Sequence, residues 1–365
     1  MSDRLLEVRD LSVDFSTREG TVQAVRGLSF DLDPQETIGI VGESGSGKST
    51  VALAILGLLP RNASVTGSVR TGRDELTRLS EKELAKVRGS TMAYIPQDPL
   101  TSLNPSYTIG WQVSEAIWAK GLDSKQGAHR RAVELLDTVG IPRAARQMDR
   151  YPHEFSGGMR QRVAIAIAMA NDPRIMIADE PTTALDVTIQ AQVLDALRAA
   201  REKTHASLVL ITHDLGIVAG MADRVMVMYA GKPVETAPTD EIFYRSKMPY
   251  TLGLLGSLPR LDDERGTPLR PIPGSPPSLL SLPSGCPFRP RCPVSFDLCV
   301  TEEPGLDPVG PHHRVACHRG LELTGGDTTL FAASWQDHPH HVGFDPLDSE
   351  RSGNEQEEPT EVPRG

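Results

Sequence analysis

Residues 37–50 read TIGIVGESGSGKST, a short apolar run that gives way to a glycine-rich turn. Within the last nine of these residues, 42–49 fit the pattern G-x-x-x-x-G-K-[ST]. They stand where that pattern must stand to hold phosphate, after a predicted strand (37–41) and before a predicted helix (49–59). Glycine lets the backbone curl, so that the N–H groups of Gly42, Ser44, Gly45, Ser46 and Gly47 turn inward toward phosphate oxygens, and the helix N-terminus adds a fixed positive dipole. Lys48 is suited to neutralise the β- and γ-phosphates of a bound ATP, Ser49 to offer its hydroxyl to Mg²⁺, and Thr50 completes the motif.

Working outward, LLEVRDLSVDFS (5–16), MAYI (92–95), RIMIAD (174–179), LVLIT (208–212) and RVMVMY (224–229) are further β-rich runs flanked by turn or cap residues. Helical stretches such as STVALAILGLL (49–59) and IQAQVLDALRAAREK (189–203) lie between several of them. Alternating strands and helices predict an α/β layer with a largely parallel core. From about residue 99 to 170 the pattern turns mostly helical, with WQVSEAIWAK and HRRAVELLDTVG, which predicts a helical insertion inside an α/β domain spanning 1–259. After Pro259 the chain becomes rich in Pro, Ser and Gly (PLRPIPGSPPSLLSLPSG, 268–285), so residues 260–320 read as a small appended domain and 321–365 as a tail.

The run RIMIADEP (174–181) supplies a second half to the phosphate site. An apolar strand ends in Asp179 and Glu180, and strand alternation sends the two carboxylates in different directions. Asp179 is then placed to hold Mg²⁺, and Glu180 to accept the proton of an attacking water.

The longest apolar runs, VALAILGLL (51–59) and VAIAIAMA (163–170), fall well short of a bilayer span, and the start MSDRLLEVRD lacks the apolar core of a signal peptide. The chain is therefore expected on the cytoplasmic side, with any membrane role peripheral. The net charge of −10 is concentrated in the tail, where ten acidic and two basic residues follow Gly320. The near-neutral remainder offers no basic patch for nucleic acid, and the acidic tail reads as a solvated, disordered segment.

The stretch FSGGMRQRVAIAIAMANDP (155–173) resembles the signature sequence of ABC-type ATPases. The resemblance continues in order. Gln97 in AYIPQDPLTSLNP is similar to the family's Q-loop glutamine, which shares the Mg²⁺ and the catalytic site. TALD (183–186) is similar to the D-loop, with Asp186 at the nucleotide. His213 in LVLITHD is similar to the switch histidine that orients the water, and Phe15 lies where the family stacks adenine on an aromatic ring. Together these motifs cover about residues 5–235. The resemblance implies a dimer in which Ser156, Gly157 and Gly158 of one subunit face the γ-phosphate bound by the other, so that hydrolysis depends on dimerisation.

Within that family, DEPTTALDVTIQAQ, ITHDLGIVAGMADRVMVMYAGKPVE, YTLGLLGSLPRL, IPGSPPS and CPFRPRCP resemble the ATPase subunits of oligopeptide and dipeptide importers over about residues 5–318. That implies a second, related but distinct ATPase chain, two transmembrane permease subunits docked on the helical insertion, an extracytoplasmic substrate-binding protein, and a place on the cytoplasmic face of the membrane. The competing reading is a soluble ABC ATPase acting on ribosomes or DNA. Such proteins usually carry two nucleotide domains or a long coiled coil, whereas this chain has one phosphate loop and no sustained heptads. A non-catalytic module is opposed by intact Glu180, His213 and signature residues.

All four cysteines fall in the appended region: Cys286, Cys292, Cys299 and Cys317, spaced C-x₅-C-x₆-C-x₁₇-C. A disulfide framework does not suit a chain with no export signal. The close pairs do not match the C-x₂₋₄-C knuckles of structural zinc, although His312, His313 and His318 stand nearby as alternative zinc ligands. Iron–sulfur clusters tolerate such spacing and often carry Pro after Cys, as in Cys286-Pro287 and Cys292-Pro293. The importer family's C-terminal region carries such a cluster in some members, which favours [4Fe–4S], with zinc as the alternative. Far in sequence from Lys48 and Glu180, the region is expected to act as a structural staple outside phosphoryl transfer, with redox sensing as the other reading.

Overall fold

The computed structural model describes residues 4–121, 123–258 and 272–323. Residues 324–365, most of the expected tail, and 259–271, where the Pro-rich stretch begins, lie outside the described residues. In chain order the elements are β1 (Leu6–Thr17), β2 (Gly20–Leu32), β3 (Thr37–Val41), α1 (Lys48–Ile55), β4 (Ala63–Thr71), β5 (Asp74–Glu75), α2 (Glu81–Val87) and β6 (Met92–Ile95). The helical insertion follows as α3 (Pro99–Ser102), α4 (Ile109–Trp118), α5 (Lys125–Thr138), α6 (Ala144–Gln147) and α7 (Gly157–Ala168). The chain returns to the sheet with β7 (Ile175–Asp179), α8 (Val187–Thr204), β8 (Ser207–Thr212), α9 (Leu215–Ala219), β9 (Arg224–Tyr229) and β10 (Lys232–Pro238). It closes with α10 (Thr239–Arg245), α11 (Pro249–Gly256), α12 (Leu298–Thr301), β11 (Asp307–Gly310) and β12 (His313–Val315).

Two sheets result. An antiparallel one has the order β2-β1-β4-β5, and the principal one the order β11-β12-β10-β9-β3-β8-β7-β6. From β9 to β6 every neighbouring pair is parallel. Its interior strands β3, β7 and β8 are buried at every position, because helices cover one face and the antiparallel sheet or further helices the other, and this is why they read as unbroken apolar runs. All five strands end on the same side, so the loops that follow β3, β6, β7 and β8 gather at one edge, the usual ligand edge of an open α/β sheet.

Among the described residues three hydrophobic cores form. One lies between the insertion and the sheet and includes Ile117, Leu136, Val163, Met176 and Leu208. Within it α5 buries Ala128, Ala132, Leu135 and Leu136, the one-faced stripe of an amphipathic helix. A second lies between the sheets around α1, with Leu6, Leu28, Ile38, Val51 and Ile177. The third gathers Val225, Tyr229, Tyr250, Phe288 and Val315. Phe288 and Val315 belong to the region expected as an appended domain. That region contributes β11 and β12 to the principal sheet, with Glu235 paired to Val315, and shares this core. Burying each such large side chain stabilises the junction by about 1.5–3 kcal/mol.

Candidate functional site

The phosphate loop begins where β3 ends and closes into α1 at Lys48. Gly47 caps the helix with φ 99°, and a Cβ there would run into the carbonyl oxygen of Ala24 on β2. Only glycine therefore permits both the turn and the close approach. Ser44 and Gly45 are exposed, Ser46 is buried and Thr50 half-buried. The Ser46 hydroxyl is buried without a hydrogen-bond partner among the described residues, as a loop shaped for an outside oxygen would leave it. The Lys48 ammonium is buried and donates to the carbonyls of Gly42 (2.8 Å) and Glu43 (2.9 Å). Burial lowers its pKa, while Glu180, Asp179 and Glu43 pull the other way.

At the end of β7 the two carboxylates separate as alternation requires. Asp179, 2% exposed, accepts from the Ser49 hydroxyl (2.9 Å) and the Tyr94 hydroxyl (3.0 Å). Burial raises its pKa against the pull of those two donors. Glu180 adopts φ 45°, turning its side chain to the sheet edge. Its Oε2 receives Thr183 Oγ1 (2.7 Å) and Gln97 Nε2 (3.2 Å), with His213 Nδ1 also at 3.2 Å. Oε1 lies 4.0 Å from Lys48 Nζ. The fold thus brings Lys48, Ser49, Gln97, Asp179, Glu180 and His213 together. Tyr94 and Thr183 were not singled out from the sequence. Tyr94 becomes relevant only because β6 and β7 are neighbours.

The other sequence-predicted residues hold different partners. Ser156 and Asp186 cap α7 and α8, accepting from the N–H groups of Met159 and Ile189. Gly157 opens α7. Gly158 lets α7 close on α8, since a Cβ there would collide with Ile189 Cγ2. Buried Gln161 of α7 donates to Pro96 O (3.1 Å), tying the signature helix to the segment that carries Gln97. Phe15 is half-buried on β1, opposite Val22 and Ala63.

A family profile described as ABC transporter matches residues 25–183, and one described as oligopeptide/dipeptide transporter, C-terminal region, matches 234–299. The dipeptide transport ATP-binding protein DppD of Bacillus subtilis is 51% identical over 317 residues, 86% of this chain and 94% of its own length. The chain belongs to the ATP-binding proteins of the oligopeptide/dipeptide ABC transporter family. The oligopeptide transport ATP-binding protein OppD of Mycobacterium tuberculosis is 54% identical over 322 residues, 88% of this chain. The chain spans only about half the length (53%) of that relative. Among solved structures, a dimeric ATP-binding cassette in a post-hydrolysis state with ADP and Pi bound superposes with a TM-score of 0.57, at 26% identity, over 64% of this chain and 98% of its own.

In this family member the donor set suits Mg²⁺, a hard ion usually held by only one or two protein oxygens. Ser49 and Asp179 are the oxygens in place, while Gln97, also expected there, directs its amide N–H to Glu180. Among the described residues no group of three or more His, Cys, Asp or Glu side chains is placed to hold a metal ion, so neither the expected [4Fe–4S] cluster nor the zinc alternative finds a preformed site. Two of the three histidines expected as zinc ligands have other partners. His313 Nε2 lies 2.8 Å from the buried Glu235, and His318 Nε2 3.0 Å from Glu302 O. The four thiols instead line one cavity, with Phe288, Phe296 and His318. Burial raises the Cys286 pKa, and pushes Cys292 up to about 12 and Cys317 to about 11.

The cysteine region, far in sequence from the phosphate loop, touches it in the fold. Arg291, between Cys286 and Cys292, holds the Glu43 carboxylate at 2.6 and 2.8 Å. Glu43 is a residue of the loop itself, 248 positions away in sequence, and no local pattern signals the contact.

Proposed function

We propose that the chain is the ATP-hydrolysing subunit of a membrane importer for peptides. The carrying observation is the Glu180 carboxylate, whose Oε2 is held by Gln97, Thr183 and His213 while Oε1 remains beside Lys48. That leaves one oxygen free to act as base next to the loop that takes the triphosphate. Water attacks the γ-phosphorus: its O–P bond forms as the bond to the bridging oxygen breaks, and its proton passes to Glu180. His213 and Gln97 orient the reacting groups, and Lys48 leaves its loop carbonyls for the phosphates. Mg²⁺, held by Ser49 and Asp179, supplies charge neutralisation when bound. Phe15 stacks the adenine. Ser156, Gly157, Gly158 and Asp186 complete the site of a second ATPase chain across a dimer, related to this one but distinct.

Relatives named as oligopeptide and dipeptide transport ATP-binding proteins support peptides as cargo. The partners are two permease subunits docked on the helical insertion and an extracytoplasmic peptide receptor, which places the chain peripherally on the cytoplasmic face. No described helix is long and apolar enough to cross a membrane. The four cysteines hold a [4Fe–4S] cluster. The four thiols line one cavity, and iron–sulfur clusters are held by cysteine thiolates.

Labelled-peptide uptake by vesicles carrying the assembled transporter tests this. Uptake should require ATP and disappear with Lys48→Ala. Uptake indifferent to that substitution, or ATP hydrolysis stimulated by ribosomes or DNA in place of peptide, would refute it.

A further inference from the structure

We propose that Arg291 is a positioning residue for the phosphate loop, through which the cysteine-bearing region sets nucleotide affinity. Glu43 is the second residue beyond β3, inside the loop, and each of its polar groups is engaged. Its carboxylate takes the Arg291 fork, Nη1 to Oε2 at 2.6 Å and Nη2 to Oε1 at 2.8 Å. Its N–H donates to the hydroxyl of the fully buried Tyr250 (2.8 Å). Its carbonyl accepts from Lys48 Nζ (2.9 Å) and from the Ser46 N–H (3.2 Å). The first two anchors come from outside the ATPase motifs.

Arg291 is itself fixed. Its side chain is 4% exposed, its Nε donates to Pro273 O (2.9 Å), and its guanidinium lies over the rings of Tyr229 (5.9 Å) and Phe288 (6.0 Å). Tyr229, Tyr250 and Phe288 pack on one another with centroids 4.6–5.4 Å apart. Arg291 closes the short turn Arg289–Arg291, in which the Cys292 N–H bonds back to Arg289 O (3.1 Å) and the Arg289 N–H to Cys286 O (3.0 Å). The turn that spaces the first two cysteines therefore carries the side chain that holds the phosphate loop. A displacement of this turn moves the Glu43 peptide, whose carbonyl anchors Lys48 and Ser46. A loop fixed in its binding shape binds tighter because less order is lost on association. Arginine is needed because a guanidinium fork can engage both carboxylate oxygens in a plane and an ammonium cannot.

This inference rests on the nucleotide reading above. The test is equilibrium binding of MgADP to the full chain by calorimetry, with steady-state hydrolysis by the assembled transporter. Arg291→Met should weaken MgADP binding roughly tenfold, within the range of coupling between distinct sites, and raise KM for ATP while kcat holds within about threefold. Arg291→Lys should not restore affinity. Glu43→Gln, which alters a half-buried side chain and gives the same test should Arg291→Met unfold, should match it. The double variant should be no weaker than either single one, as a shared contact requires. A lowered Tm with unchanged MgADP affinity would make the pair a plain structural tie and overturn the proposal, as would additive losses in the double variant. Failure of the wild-type chain to bind MgADP would instead remove the nucleotide reading beneath it.

Discussion

Replacing Glu180 by Gln keeps the shape of the side chain and removes its basicity. The amide oxygen can still accept from Thr183 at the position where Oε2 receives three neighbours, so the geometry of Gln97 and His213 survives. What disappears is the oxygen beside Lys48 proposed to accept the water's proton. Loss of a positioned general base costs about 10²–10⁴ in rate, or about 2.7–5.5 kcal/mol of transition-state stabilisation at 1.36 kcal/mol per tenfold. Affinity should move the other way. The substitution takes a negative charge from within 4.0 Å of Lys48, and that charge would repel an incoming polyphosphate. The account predicts phosphate release slowed by about two orders of magnitude or more at saturating ATP, with nucleotide binding unchanged or tighter. Hydrolysis by the variant within about threefold of wild type, a loss far below that expected for a base, would show that another group takes the proton.

Three further outcomes follow from other parts of the molecule. Gly158→Ala should lose about 1–3 kcal/mol of stability through overpacking against Ile189; thermal unfolding should show Ile189→Ala restoring much of it, and a fully stable single variant would contradict the helix contact. Burial alone would raise the Glu303 pKa, but donors from Lys232 and Arg26 outweigh it and hold it below the ordinary carboxylate range. Glu303→Gln should therefore destabilise by about 0.5–1 kcal/mol at neutral pH, with the gap from wild type full above the unfolded carboxylate pKa and closing as pH falls through the depressed folded value; a gap that widens on acidification has the wrong sign. Anaerobically purified protein should carry about four iron and four sulfide per chain, reduced in Cys299→Ser; one zinc without sulfide would end the cluster reading.

The phosphate loop, the strands at 37–41 and 174–179 and the carboxylate pair were legible in the sequence because each depends on local pattern. Glycines force the turn, and burial on both faces makes an interior strand a continuous apolar run. β2 was not legible: Arg26 and Gly27 interrupt its alternation, and its register with β1 shifts repeatedly. β11 and β12 are four and three residues long, too short for a period to show, and β12 is recruited by β10 rather than by its own propensity. His313 illustrates the same limit. In sequence it is one more imidazole near the cysteines, whereas in the fold it is buried against Glu235, its acceptor on β10. The contacts of Tyr94 with Asp179 and of Arg291 with Glu43 exist only once distant segments meet, so no local spacing could announce them.

The most direct test of the central claim is ATP hydrolysis by the assembled transporter in lipid, with and without its peptide-loaded receptor. Mg²⁺-dependent hydrolysis that rises on addition of receptor and peptide, and that vanishes with Glu180→Gln in this chain, is the predicted result. Hydrolysis that ignores the peptide-loaded receptor, or that persists in the Glu180→Gln assembly at the wild-type rate, would contradict it.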